Sequence, residues 1–220
     1  MCIRDRDSSD ITPKHWEQLA DLIFEKFDEF ESFVITHGTN TLGYTCAALS
    51  FAFHNLGKPI ILTGSQVPMD DPGSDALTNL QNAIRVATWI KNDVKGVMAV
   101  FGSHVITGTR VKKVTEFDYD AIKSFNTGSI ARIGRVINFN IDNLSRHLEY
   151  LSPKGMPPHA LTKANLRKEN IFETRLLSVT EFPGMDPDIF LKNVLDHDIK
   201  GVIFRAVSYT HLTLPTTPYV

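Results

Sequence analysis

Cysteine is almost absent from this sequence: Cys2 and Cys46 are the only two in 220 residues, too few for a disulfide framework or a cysteine-built metal site. The eight histidines never fall in an H-E-x-x-H spacing, so the helical zinc motif is missing too. Neither redox chemistry nor a metal is indicated. A basic excess is also lacking. The formal net charge is -2, which gives no electrostatic case for nucleic acid or an anionic membrane surface. No apolar run approaches the roughly 20 residues of a membrane span, and no secretory signal with an apolar centre opens the chain. The expected location is the cytoplasm. Repeats and low-complexity arrays are absent as well. What remains, 42% hydrophobic and 22% charged, suits a globular protein with one large core, or one core and part of a second.

The sequence is organised around Phe33-Val34-Ile35-Thr36-His37-Gly38-Thr39-Asn40-Thr41-Leu42-Gly43-Tyr44-Thr45. Its first part is a short β-branched run of the kind buried in a parallel sheet, and Leu42, Ala47, Leu49, Ala52 and Phe53 suit a following helix. Gly38 allows a tight turn, while Thr39, Asn40 and Thr41 can cap free helix N–H groups. At such a strand end, hydroxyls and N–H donors converge where an anionic or carbonyl group could sit. An ordinary βα turn whose hydroxyls only cap would look the same.

Upstream, Thr12 and Pro13 open a helix with Trp16, Leu19, Ala20, Ile23, Phe24 and Phe27 on one stripe. Ser8 and Ser9 read as turn formers or as two hydroxyls for a small polar ligand. Downstream, Lys58 to Gln66 is a second apolar run ending in a Gly-hydroxyl-amide turn, Gly64-Ser65-Gln66. Ser74-Asp75 caps a helix bearing Leu77, Leu80, Ala83, Ile84 and Ala87, and Gly96 to Phe101 is a third core strand. This alternation predicts an α/β fold, an open and mainly parallel sheet with helices on both faces. From His104 to Asn126 an edge strand and loop are expected, with Arg110, Lys112 and Lys113 as a solvated face unless a lysine folds back over the strand ends. Ile130 to Leu151 is expected to continue as short strands. The expected domains are 7–152 for the larger unit, 153–173 for an exposed linker, and 174–206 for the start of a second, smaller α/β domain with one βαβ unit. Residues 1–6 and 207–220 resemble translated sequencing-adapter DNA and are set aside as non-native ends.

These motifs, taken in order, resemble the bacterial-type L-asparaginase family from about Asp7 to about Arg205. Thr36-His37-Gly38-Thr39-Asn40-Thr41 matches the family's second active-site signature, which normally reads T-H-G-T-D-T. Asp7-Ser8-Ser9-Asp10 matches its substrate-holding loop, and Lys113 in Arg110-Val111-Lys112-Lys113 its catalytic lysine. The resemblance implies a larger and a smaller α/β domain, paired into homodimers or homotetramers. It also implies hydrolysis of L-asparagine to L-aspartate and ammonia with no cofactor or metal. By the same resemblance Thr39 bears the hydroxyl that positions or activates water and Lys113 handles its proton. Ser8 and Ser9 hold the substrate's carboxylate side, and Asn40 faces its α-ammonium.

Two departures stand out. The family's first motif, T-G-G-T-I, which supplies the nucleophilic threonine, occurs nowhere in the sequence. The family aspartate is Asn40 here, which weakens a contact to an ammonium by on the order of 1 kcal/mol. The first reading is therefore a fragment of an asparaginase. The ammonia-releasing subunit of a tRNA-dependent amidotransferase and a non-catalytic amino-acid binding module are the alternatives. With that nucleophilic threonine missing, the 220-residue chain is expected to be inactive: incubated with asparagine it should release no ammonia above a buffer blank.

Overall fold

The computed structural model describes residues 7–89, 94–151 and 161–206. The expected non-native ends, residue 152 at the end of the expected larger unit and residues 153–160 of the expected linker lie outside these. Two units result, one through Ile171 and one from Phe172. In the first, helices α1 (Pro13–Glu25), α2 (Leu42–Ala52), α3 (Ala76–Ala87) and α4 (Ile141–Leu151) are interleaved with ten strands. These are β1 (Phe33–Thr36), β2 (Phe53–His54), β3 (Pro59–Thr63), β4 (Gly96–Phe101), β5 (His104–Thr107), β6 (Val111–Lys113), β7 (Ile122–Ser124), β8 (Ala131–Ile133), β9 (Ile137–Phe139) and β10 (Arg167–Lys168). The second unit is β11 (Leu176–Thr180), α5 (Pro187–Asp196) and β12 (Gly201–Arg205), with β11 and β12 parallel. It is the βαβ unit expected, opened at α5 by Asp186, whose carboxylate accepts the Asp188 N–H at 3.0 Å.

The main sheet has the order β1-β3-β4-β5-β8-β9. Pairing is parallel from β1 through β4 and antiparallel from there outward. Side-chain alternation covers both faces. Ile61, Met98 and Val100 pack with Ala83, Val86 and Ala87 of α3. Their buried strand neighbours Ile60, Leu62, Val97 and Ala99 take the opposite face, where Ser50 of α2 approaches Val97 beside Gly108. The α/β expectation holds.

In α3 the expected stripe is rotated. Leu77 and Ile84 are exposed, and the buried positions are Asn79, Ala83, Val86 and Ala87. The Asn79 amide explains the rotation. Its Nδ2 donates to Gly64 O at 2.9 Å and Asp75 Oδ2 at 2.8 Å, and its Oδ1 accepts the Gly102 N–H at 2.9 Å. Left without these partners the buried amide would cost about 1–3 kcal/mol, which ties the helix's roll to them. It also ties the ends of β3 and β4 together.

Other expectations change. His104–Thr107 is an interior strand between β4 and β8, not an edge, and Val111 to Ser124 forms a separate hairpin of β6 and β7. Residues 161–171 of the expected exposed linker lie on the first unit: Leu161 and Leu166 are buried, and Arg167–Lys168 pairs with β2. Two leucines at a five-residue spacing carried too little pattern for the sequence to reveal this. The run expected as strands ends at Phe139, and Ile141–Leu151 is a helix. Asn140 Oδ1 caps it by accepting the Asn143 N–H at 3.0 Å, while Leu144, His147 and Leu151 recur at helical spacing.

His147 is buried, its Nε2–H donating to Lys95 O at 2.7 Å, while Nδ1 has no partner among the described residues. Burial holds the imidazole neutral and pushes its pKa below the ordinary 6.5. The unfolded chain takes up this proton at higher pH than the folded one. Stability is therefore full above the ordinary value and lost as pH falls below it. His37 and His104 shift the same way. The urea midpoint should drop between about pH 7.5 and about pH 5, and His147→Gln, which keeps a donor for Lys95 O, should drop less; an equal drop would remove His147 from the account. Asn79→Ala, which strands the partners of a buried amide, should cost about 1–3 kcal/mol in the same assay at neutral pH.

Candidate active site

The parallel strands β1 and β3 end side by side. The pairing continues past them, with the His37 N–H donating to Thr63 O at 2.8 Å. Two glycines then let other segments come close. A Cβ on Gly38 would lie 2.7 Å from Ser8 Oγ, and one on Gly43 would lie 2.6 Å from Val111 O. Only glycine allows the Ser8–Asp10 turn and the start of β6 to reach the β1–α2 turn from opposite sides.

His37 stiffens that turn. Trp16 Nε1–H donates to Thr45 Oγ1 at 2.9 Å, and the same hydroxyl oxygen lies 2.8 Å from His37 Nε2. His37 Nδ1–H then donates to Gly38 O at 2.7 Å. The carbonyl can only accept, so Nδ1 carries a proton; in the neutral ring that burial favours, Nε2 accepts from the Thr45 hydroxyl. Burial lowers its pKa, and the bond to Gly38 opposes this only in part.

Against this turn lies Lys113, at the end of β6. Its ammonium donates to Asn40 Oδ1 at 2.7 Å and pairs with the Glu116 carboxylate. The Lys113 side chain is 14% exposed, so of three neighbouring cations this one is folded in. Lys112 instead lies over the Phe125 ring. Asn40 reaches on through Nδ2 to Ser9 Oγ in a long 3.5 Å contact, and the Ser9 N–H is held by Asp7 Oδ1 at 2.8 Å. Lys113, Asn40 and Ser9 are thus brought into one polar line.

Ser8 and Thr39 are placed differently. Ser8 is 4% exposed, and its carbonyl accepts the Thr41 hydroxyl at 2.6 Å. Of the two serines, Ser9 is the one open to a ligand. That bond also takes Thr41 away from the helix-capping role its position suggested; no side-chain cap forms there. Thr39 is half-buried in the turn. The Lys113 ammonium bonds Asn40 and Glu116 rather than the Thr39 hydroxyl.

Sequence reasoning missed Glu116, for which the three-residue step from Lys113 was the sole signal. It also missed the partners of His37, because Trp16 and Thr45 read only as core and helix. Gln66, singled out as part of a strand end, donates through Nε2 to Glu116 O at 3.0 Å, while its own N–H is held by Asp75 Oδ1 at 3.0 Å. A cleft of about 300 Å³ lined by His104, Ser129, Arg132, Asn138, Asn140 and Asn143 among others includes none of the residues named for the site. No group of three or more His, Cys, Asp or Glu side chains among the described residues could hold a metal ion. No helix among them is long and apolar enough to cross a membrane. A half-buried hydroxyl, a fixed ammonium and an exposed serine at converging strand ends form a set suited to polarising and attacking a carbonyl.

The family model described as "Asparaginase, N-terminal" matches residues 1–145. L-asparaginase 1 of Escherichia coli (strain K12) is 34% identical over 200 residues, 91% of this chain and 54% of that protein. A glutamyl-tRNA(Gln) amidotransferase subunit of Pyrococcus abyssi is 31% identical over 212 residues, 93% of this chain and 45% of that protein. Among solved structures, the thermostable L-asparaginase from Thermococcus kodakarensis superposes with a TM-score of 0.75 at 30% identity, covering 92% of this chain and 56% of that one. The chain spans about half the length of the curated relatives it matches. With the family's domain matched across the β1–α2 turn, β3, β4 and the Lys113 strand, the chain belongs to the asparaginase family.

Proposed function

We propose that the complete protein is an amidohydrolase that converts L-asparagine to L-aspartate and ammonia, acting in the cytoplasm as a homodimer or homotetramer without metal or organic cofactor. One observation carries this reading: Lys113, 73 residues beyond Asn40 in the chain, is folded onto the Thr36–Thr41 turn with its ammonium 2.7 Å from Asn40 Oδ1. A lysine serving only solubility would extend into water, since surface ion pairs gain little from being held.

In this reading Thr39 contributes the hydroxyl that positions or activates the attacking group. Lys113 is its charge and proton partner. Ser9, with Ser8 beneath it, receives the α-carboxylate, and Asn40 faces the α-ammonium. The carbonyl polarised at the strand ends accumulates negative charge in the tetrahedral intermediate, where turn N–H groups and the nearby ammonium stabilise it. A second reading is favoured by the amidotransferase relative: release of ammonia from glutamine in the service of a partner protein. Ammonia release by the complete protein from asparagine and from glutamine, with and without charged tRNA, separates the two.

Each of Thr39→Ala and Lys113→Met in the complete protein should lower kcat by about 10² or more. The double variant should be little worse than either single, because groups that act as a unit are not additive. Asn40→Asp should chiefly improve KM for substrates bearing an α-ammonium and leave an analogue without the amino group unchanged. Full activity in Lys113→Met, or equal KM changes for both substrates in Asn40→Asp, would show the assigned roles to be wrong.

A further inference from the structure

We infer that Glu116 is a positioning residue for Lys113, supplying at the mouth of the site the negative charge that Asn40 does not carry. This rests on the amidohydrolase reading. The Lys113 ammonium has two side-chain partners, and they differ in kind. Asn40 offers a neutral carbonyl oxygen and Glu116 a carboxylate. Two acids of the surrounding segments are committed elsewhere. Asp75 accepts the N–H groups of Gln66 and Val67 and the Asn79 amide, and Asp7 accepts the Ser9 N–H. Position 40 is also where the signature that this turn resembles carries an aspartate. The countercharge for Lys113 therefore comes from three residues further along its own hairpin.

An exposed Lys-x-x-Glu pair ordinarily contributes little, and the Glu116 side chain is 67% exposed. Three features set this pair apart. The lysine side chain is largely covered and is held at a second point by Asn40, so pairing costs it little further side-chain entropy. The backbone of Glu116 is fixed, since its carbonyl accepts from Gln66 Nε2 at 3.0 Å and Gln66 is itself anchored on Asp75. The loop that carries it is closed by Val114 N–H to Ala121 O at 2.8 Å and fastened by the Tyr119 hydroxyl to Gly73 O at 2.7 Å. Two segments from different strand ends thus converge to place one carboxylate. Through Lys113, Glu116 sets where a positive charge stands relative to the Thr39 turn without itself touching the reacting atoms.

The test uses the complete protein and two readouts. Steady-state kinetics on asparagine are measured for Glu116→Gln, Glu116→Asp and the swap Asn40→Asp with Glu116→Gln. Labelling of Lys113 by an amine-reactive reagent, quantified by mass spectrometry against Lys112, reports the pairing independently of activity. Glu116→Gln should lower kcat about threefold to fivefold with KM nearly unchanged, the size expected of a partly exposed ion pair. Glu116→Asp should lose less, and the swap should recover most of kcat, because the carboxylate has returned to the ammonium from the other side. Lys113 labelling, relative to Lys112, should rise in Glu116→Gln and fall back in the swap. Unchanged kcat and labelling in Glu116→Gln, or a swap no better than Glu116→Gln, would overturn the assignment. If the wild type releases no ammonia from either amide, the amidohydrolase reading fails, and labelling alone then decides whether Glu116 holds Lys113.

Discussion

Parallel pairing of β1 with β3, Phe33 opposite Ile60 through Thr36 opposite Thr63, is the constraint on which the rest depends. It sends both chains out of the sheet at the same level, so two Gly-hydroxyl turns open side by side. The Asn79 amide holds β3 and β4 in step from α3, and Asp75 at the start of that helix gathers the backbone of Gln66 and Val67. One helix N-terminus therefore orders the strand ends on which the candidate site stands, and it does so with satisfied buried polar groups whose directionality apolar packing cannot reproduce.

A second layer of order comes from the bonds running from Trp16 through Thr45 and His37 to Gly38. In the neutral ring Nδ1–H donates to Gly38 O and the bare Nε2 accepts from Thr45, an arrangement that a second ring proton would break. The same burial that keeps His37 neutral keeps the turn rigid, since a protonated ring could no longer accept from Thr45. Rigidity at Gly38 is what gives Thr39 and Asn40, the next two residues, a defined place.

Much of this was legible in the sequence. The α1 stripe, the buried strands β3 and β4 and the βαβ unit from Leu176 to Arg205 all carried clean periodicity and punctuation, whereas β1, whose β-branched run suggested a buried strand, stands at the edge of the sheet and is at most half-buried. The Thr36–Thr41 turn and Lys113 were found as motifs, but their meeting across 73 residues is a property of topology that no local pattern encodes. Reading failed where a polar residue overrode the apolar count. In α3 Asn79 is turned inward while Leu77 and Ile84 are exposed, and the strand reading ran on past Asn140, which caps a helix carrying three leucines, an arginine and a glutamate. Glu116 was invisible for the opposite reason, because an acid three residues from a lysine is common and only a folded hairpin gives it direction.

Where the countercharge of Lys113 sits also matters physically. Asn40 belongs to the turn that His37 and Gly38 hold, so a charge there would be fixed by the sheet. Glu116 belongs to a hairpin tip whose neighbour Phe117 is 96% exposed and whose attachment to the core runs through Gln66 and Tyr119. Moving the negative charge from turn to hairpin makes the ammonium's position depend on the order of that tip as well as of the strand ends. Lys113 is then a bridge between the β1–α2 turn and the hairpin tip. Its place near Thr39 is held from the turn by a hydrogen bond to a neutral amide oxygen and from the hairpin by charge, so loosening the hairpin removes the countercharge and leaves the amide bond.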